Sequence, residues 1–222
     1  MSNRALRLAA LAFSFLVLLT GCGHTDAQLR FVNTSPGEPS LNSLDGTTVA
    51  TGVAYGTGGS YSSTLPGPRH LNVYSSGTTN AIVNQTISLS SGTDYSLFAI
   101  NFSFDITAIL LADDNSTPSS GNVKLRVLNA SPGLGAVDVY VVDLGTDLNS
   151  VTPSVGSLTF ESSSAYVTGS GGSWEIVFTL PGRKTALVTT GTLALVSAQI
   201  RTVVALNGEA GGYTTAVLPD LN

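Results

Sequence analysis

The sequence predicts an all-β protein: two tandem β-sandwiches behind an N-terminal export segment. Three observations predict it. Apolar and polar residues alternate at period two in several segments, the signature of half-buried strands. Turn pairs such as Asp45-Gly46, Ser76-Gly77, Ser91-Gly92 and Pro181-Gly182 cut the chain into short pieces. A nine-residue segment of the first half returns in the second half, and a repeat must be recognised before a fold is assigned.

The export segment comes first. Arg4 and Arg7 are the only charges before Asp26. The apolar run Leu8 to Leu19 follows, about a dozen residues where a bilayer span needs roughly 20. A basic start and a short apolar run make a secretory signal, removed on maturation. Leu19-Thr20-Gly21-Cys22 resembles the lipobox of bacterial prolipoproteins. The resemblance implies acylation of the Cys22 thiol and removal of residues 1–21. Cys22 is the single cysteine, so no internal disulfide can use it. An odd cysteine in an exported chain requires another explanation, and a lipid supplies one. Gly23 follows Cys22, and by resemblance to enterobacterial sorting this favours the outer membrane, with the face left open. Residues 22–26 form a tether that reaches roughly 15–18 Å when extended.

Composition bounds the rest. With Arg4 and Arg7 removed, seven Lys+Arg oppose fourteen Asp+Glu, a net charge near −7. No Lys/Arg cluster exists, so the electrostatic footprint of a nucleic-acid binder is missing. After residue 21 no apolar stretch reaches membrane-spanning length.

The repeat places the domains. Leu29-Arg30-Phe31-Val32-Asn33-Thr34-Ser35-Pro36-Gly37 returns as Leu125-Arg126-Val127-Leu128-Asn129-Ala130-Ser131-Pro132-Gly133, with six of nine residues identical. Tyr61 returns as Tyr166, Thr86–Leu89 as Thr192–Leu195, and Thr107–Leu110 as Thr215–Leu218. This gives one sandwich over 27–116, a linker at 117–121 and a second sandwich over 122–222. Each has about seven short strands, the count of a sandwich. Val123, Leu125 and Val127 alternate with Lys124 and Arg126, predicting one wet face. Val137, Val139 and Val141 alternate with Asp138 and Tyr140, and Leu71 and Val73 alternate with His70, Asn72 and Tyr74. Pro36 and Pro132 lack the N–H that a ladder needs and end their strands. The Asn and Ser before them can bond the turn backbone. Asp138 is expected to tie down a neighbouring loop.

Arg126-Val127-Leu128-Asn129-Ala130-Ser131-Pro132 followed by Ala136-Val137-Asp138-Val139-Tyr140-Val141 resembles a bacterial family known as a domain of unknown function. Its hallmark is an apolar strand ending in His-Ala-Ser-Pro, then Ala-Val-Asp-Val-Tyr-Val. Members are often exported, lipidated and doubled. The match is close in the second repeat and worn in the first, where Leu41-Asn42-Ser43-Leu44 stands in for the Val-Asp-Val-Tyr segment. Asn33 and Asn129 replace the family's His. The resemblance implies immunoglobulin-like or transthyretin-like sandwiches and no established activity.

The residues offer little for catalysis. The two histidines are His24, on the tether, and His70, on the wet face of a strand. Gly-x-Ser-x-Gly is missing. Gly56–Gly59 and Gly169–Gly172 lack the Lys of a phosphate loop. Asp113-Asp114-Asn115-Ser116 and the loop residues Asp143, Asp147 and Asn149 are candidate Ca²⁺ or ligand positions, because such loops offer several oxygens. Trp174 shares a face with Ile176 and Phe178 and is expected in the core. No cofactor is expected. The expectation is a lipid-anchored, non-enzymatic envelope module for structure, adhesion or interaction with envelope proteins. The alternative is a glycan or small-ligand binder using the groove between repeats and the loop 143–153. A further alternative is a carboxylate hydrolase using Glu161 and Glu175.

Overall fold

A computed structural model describes residues 26–38, 40–45 and 47–220. Cys22, His24 and the expected export segment lie outside the described residues. Four sheets form two sandwiches, and every strand pairing falls within 27–113 or within 122–219. In the first sandwich one sheet holds β1 (Ala27–Asn33), β4 (Thr57–Gly58), β5 (Ser62–Thr64), β8 (Asp94–Ile100) and β9 (Thr107–Asp113). Its order is β4-β1-β8-β9, with β5 also on β1. The facing sheet holds β2 (Ser40–Asp45), β3 (Thr47–Ala54), β6 (Gly67–Ser75) and β7 (Val83–Leu89), ordered β3-β2-β6-β7.

The second sandwich repeats this plan. One sheet is ordered β13-β10-β17-β18, from β10 (Asn122–Asn129), β13 (Val167–Ser170), β17 (Ile200–Asn207) and β18 (Tyr213–Pro219). The other is ordered β12-β11-β14-β15, from β11 (Val137–Asp143), β12 (Val155–Leu158), β14 (Gly172–Thr179) and β15 (Ala186–Thr189). Strand β16 (Leu193–Leu195) also pairs with β14. The pairs β1·β8 and β10·β17 are parallel and the others antiparallel. In an immunoglobulin sandwich the first two strands share a sheet. Here β1 and β2 lie in facing sheets, so of the two expected types the transthyretin-like one remains. Nine strands per sandwich exceed the expected seven. The surplus pieces, such as β4 and β5, have two or three residues and are too short to show alternation.

Alternation decides what each face of β1 and β10 meets. Leu29 and Phe31 point into the first core with Leu71, Val73, Leu97 and Ala99. Leu125 and Val127 point into the second core with Val137, Val139, Ile176 and Phe178. The opposite faces carry Val32, Phe98 and Ile100 on one sheet and Leu128, Val204, Leu206 and Leu218 on the other, and these form a third core between the sandwiches. Each large apolar side chain buried there contributes roughly 1.5–3 kcal/mol. The expected wet face of β10 is therefore an interface: Lys124 is 6% and Arg126 2% exposed. Strand alternation reports two environments, and it does not distinguish water from a second protein surface that supplies charges.

The two sandwiches pack with β1 and β10 pointing the same way. Arg30, midway along β1, reaches Asp220 just past the end of β18; Arg126, midway along β10, reaches Asp113 at the end of β9. At the far ends Tyr55 donates to the Asn207 carbonyl and Thr107 donates to Glu161. Ala27, the 114–121 connection and Asp220 thus share one end, the entry end. The opposite, distal end carries the turns at 34–38, 101–106, 131–135 and 208–212.

Candidate functional site

The most elaborate polar arrangement lies at the entry end of the interface. It is built twice. Arg30 donates through Nε to Ser96 Oγ at 2.6 Å and through Nη2 to Asp220 Oδ1 at 2.5 Å. Arg126 donates through Nε to Thr202 Oγ1 at 3.3 Å and through Nη2 to Asp113 Oδ1 at 2.6 Å. Each guanidinium also holds a carbonyl of the other sandwich, Pro219 for Arg30 and Ala112 for Arg126. Tyr61 donates to Asp113 at 2.8 Å and Tyr166 to Asp220 at 2.7 Å. Each arginine lies 4.8 Å from the ring centroid of the tyrosine in its own sandwich, a cation–π contact. The two sets are related by an approximate two-fold, the isologous pattern of a symmetric dimer. Burial pushes both phenols above their usual range. The Asp113 carboxylate adds to the rise at Tyr61; at Tyr166 Arg126 opposes it and Asp220 adds to it.

The register of this ring corrects the repeat alignment. Ser96 faces Leu111 across β8·β9, and Thr202 faces Leu218 across β17·β18. Asp113 therefore corresponds to Asp220. Thr107–Leu110 corresponds to 214–217, one residue before the expected Thr215–Leu218.

The turn asparagines are equally paired. Asn33 Oδ1 accepts from Ser35 N, and its Nδ2 donates to the carbonyls of Glu38 and Val53. Asn129 Oδ1 accepts from Ser131 N, and its Nδ2 donates to the carbonyls of Gly135 and Leu158. Asp138 accepts from the backbone of Ser157 and Gly182, so it ties down two loops.

The other sequence candidates are scattered. Asp143 is exposed at the end of β11. Asp147 caps the 3-10 turn Leu148–Ser150, accepting from Asn149 N at 3.0 Å and Asn149 Nδ2 at 3.0 Å. Asp113 belongs to the ring, while Asp114 pairs with Lys124 at 2.8 Å. The hydrogen bond from Lys124, followed by that from Ser116, lowers Asp114 to about 2. Among the described residues no three His, Cys, Asp or Glu are grouped to hold a metal ion. His70 is exposed on β6. Trp174 is half-buried, packs on the second core and lies over Gly169. Glu161 bonds Thr107 and Glu175 accepts from Thr189, so the two carboxylates share no partner.

The distal end carries the groove expected between the repeats and one feature that escaped the sequence reading. A groove of about 580 Å³ lies between the sandwiches, lined by Tyr55, Leu206, Glu209, Tyr213 and Ala216 among others. Its volume falls in the range of small-ligand sites. Burial, then the Glu209 carboxylate, pushes Tyr55 up to about 12. No residue of the loop 143–153 lines this groove, so the two parts expected to form one site are apart. On the turn after β8, Phe102 and Phe104 stack with centroids 5.6 Å apart and planes 12° apart. The signal was present as two Phe flanking one residue within a turn bounded by Asn101 and Asp105.

A search of curated proteins finds no match to the chain. Among solved structures, the family CBM26 module CBMbc from Eubacterium rectale Amy13K, solved with maltoheptaose, is 12% identical. The alignment covers 89% of this chain and 98% of that one, with a TM-score of 0.27. A leucine-rich repeat protein from Bacteroides thetaiotaomicron is 16% identical over 79% of this chain and 25% of its own, with a TM-score of 0.20. Scores this low transfer neither fold nor ligand. The family of the domain of unknown function DUF4397 matches residues 27–140, the first sandwich through the Ala-Val-Asp-Val-Tyr strand of the second. That match covers just over half of the chain, and the protein belongs to the DUF4397 family.

Proposed function

We propose that the protein is a lipid-anchored, non-catalytic envelope module. In this reading two copies of the DUF4397 unit are fused back to back, Cys22 carries the lipid, and the distal end is presented to partners. One observation supports it above the others: chain entry at Ala27 and exit at Asp220 lie at the same end, beside the buried ring. A short tether before Ala27 then holds that end to the membrane and leaves the distal end free. The chemistry of the ring agrees with this role. Its charges are used to join two sandwiches, and breaking such a buried pair costs about 3–5 kcal/mol. Two acyl chains hold firmly because each buried methylene contributes about 0.8 kcal/mol.

The test is palmitate labelling and membrane separation of the whole chain beside Cys22→Ala. The expected outcome is label and outer-membrane recovery for the parent, and loss of both in the variant. Equal membrane recovery of the two would overturn the anchor. A second reading, binding of a glycan or small ligand, is favoured by the distal groove and its two tyrosines.

A further inference from the structure

Phe104 is 85% exposed at the tip of the turn after β8. It is also held in place. Asn101 takes the left-handed conformation, φ +76, and its Oδ1 accepts from Phe102 N at 2.9 Å. Its Nδ2 donates to Asp105 Oδ2 at 3.2 Å, and Asp105 N donates to the Phe102 carbonyl at 2.9 Å. A left-handed Asn with local side-chain bonds is a turn that fixes its own shape. The stacked rings therefore form a small rigid plate, with Phe104 standing in water on half-buried Phe102.

We propose that this plate is a stacking site for a neutral polysaccharide, deepening the glycan reading above and resting on it. Three facts select that ligand. Phe104 is the exposed ring of the stacked pair, and aromatic side chains bury only about 150–250 Å² each. A stable protein partner needs about 800 Å² per side, whereas the apolar face of one pyranose covers one ring. Next, the polar atoms beside the rings suit hydroxyl donors. Ser103 is exposed with its hydroxyl unpaired, and Asp105 keeps one carboxylate oxygen unpaired. Third, the first sandwich brings no cation to this turn. The only Lys or Arg within 27–116 are Arg30 and Arg69. Arg30 is closed in the ring and Arg69 lies near the entry end of β6. An anionic lipid surface or acidic glycan would meet Asp105 without compensation. The corresponding turn of the second sandwich is Gly208-Glu209-Ala210-Gly211, with no aromatic, so the site is single.

The probes are insoluble starch, amorphous cellulose and chitin, with the whole chain purified in detergent. Retention on at least one is expected, to fall at least tenfold in Phe104→Ala and to persist in Phe104→Trp. Phe104 touches no core, so both variants should melt with the parent, and calorimetry checks this. Retention on none of the three, or equal retention of Phe104→Ala, overturns the proposal. Vesicles carrying the anchored protein are also mixed with bare phosphatidylcholine vesicles. Clustering that Phe104→Ala abolishes would assign the plate to a bilayer and overturn it. A dimer that Phe104→Ala dissolves would assign it to a second copy, with the same result. Retention on the polysaccharides is read whether or not Cys22 carries a lipid, so loss of the anchor and loss of the glycan site are separable.

Discussion

At the scale of single residues, the protein buries two arginines and two aspartates between its sandwiches, where charges are most costly. Arg30, Arg126, Asp113 and Asp220 are all nearly out of water, yet each has a partner on the other sandwich. The phenols of Tyr61 and Tyr166 stay neutral in this setting because burial raises them. A folded-state value above the unfolded one gives stability that is fully present below the unfolded pKa, about 10. That stability is lost as pH rises through the folded value. Alkaline titration followed by tyrosine absorbance should show both phenols resisting ionisation until the chain unfolds. The double variant Tyr61→Phe/Tyr166→Phe should remove two slow-titrating groups; normal titration of all seven tyrosines in the parent would contradict the burial. Much of this ring was legible in the repeat, which aligns Arg30 with Arg126 and Tyr61 with Tyr166. The aspartates were hidden by a one-residue slip in the last strand. At period two such a slip exchanges faces, so it turned a matched acidic pair into unrelated ends.

At the scale of strands and turns, what was legible was what is local. The Asn-x-Ser-Pro segments end β1 and β10 as their chemistry dictates, and Asp138 ties down loops on both sides. Asn129→Ala removes two donors and an acceptor that serve three backbone groups. It should destabilise the protein by about 2–3 kcal/mol, since stranded buried groups cost about 1–3 kcal/mol each and do not add fully. Urea unfolding measures it, and a loss under 1 kcal/mol would show that the turn holds without its side chain. Asn uses two donors here where a neutral imidazole has one, so this chain closes the turn more fully than a His could at the same place. The β4–β5 break, and the wet face of β10 that proved to be an interface, were not legible. The first pieces are too short for periodicity, and the second depends on a surface supplied by the other sandwich. For the same reason the loop 143–153 and the inter-sandwich groove were joined by expectation but not by the fold.

At the scale of the whole molecule, two forces share the work between the sandwiches. The apolar layer of Val32, Phe98, Ile100, Leu128, Val204, Leu206 and Leu218 drives their association. The ring of ion pairs sets how they meet, because a shifted or rotated packing would leave buried charges alone. The result is one body with an entry end and a distal end, and the proposed anchor, groove and aromatic plate all take their meaning from that polarity. Calorimetry of the residues 22–222 chain tests it most directly, read beside Arg126→Ala. One cooperative transition is expected for the parent, with calorimetric and van't Hoff enthalpies equal. Arg126→Ala should lower its midpoint by several degrees or split it. Two separate transitions in the parent, unmoved by Arg126→Ala, would mean that the sandwiches are independent beads and that the crossed ion pairs do not bind them together.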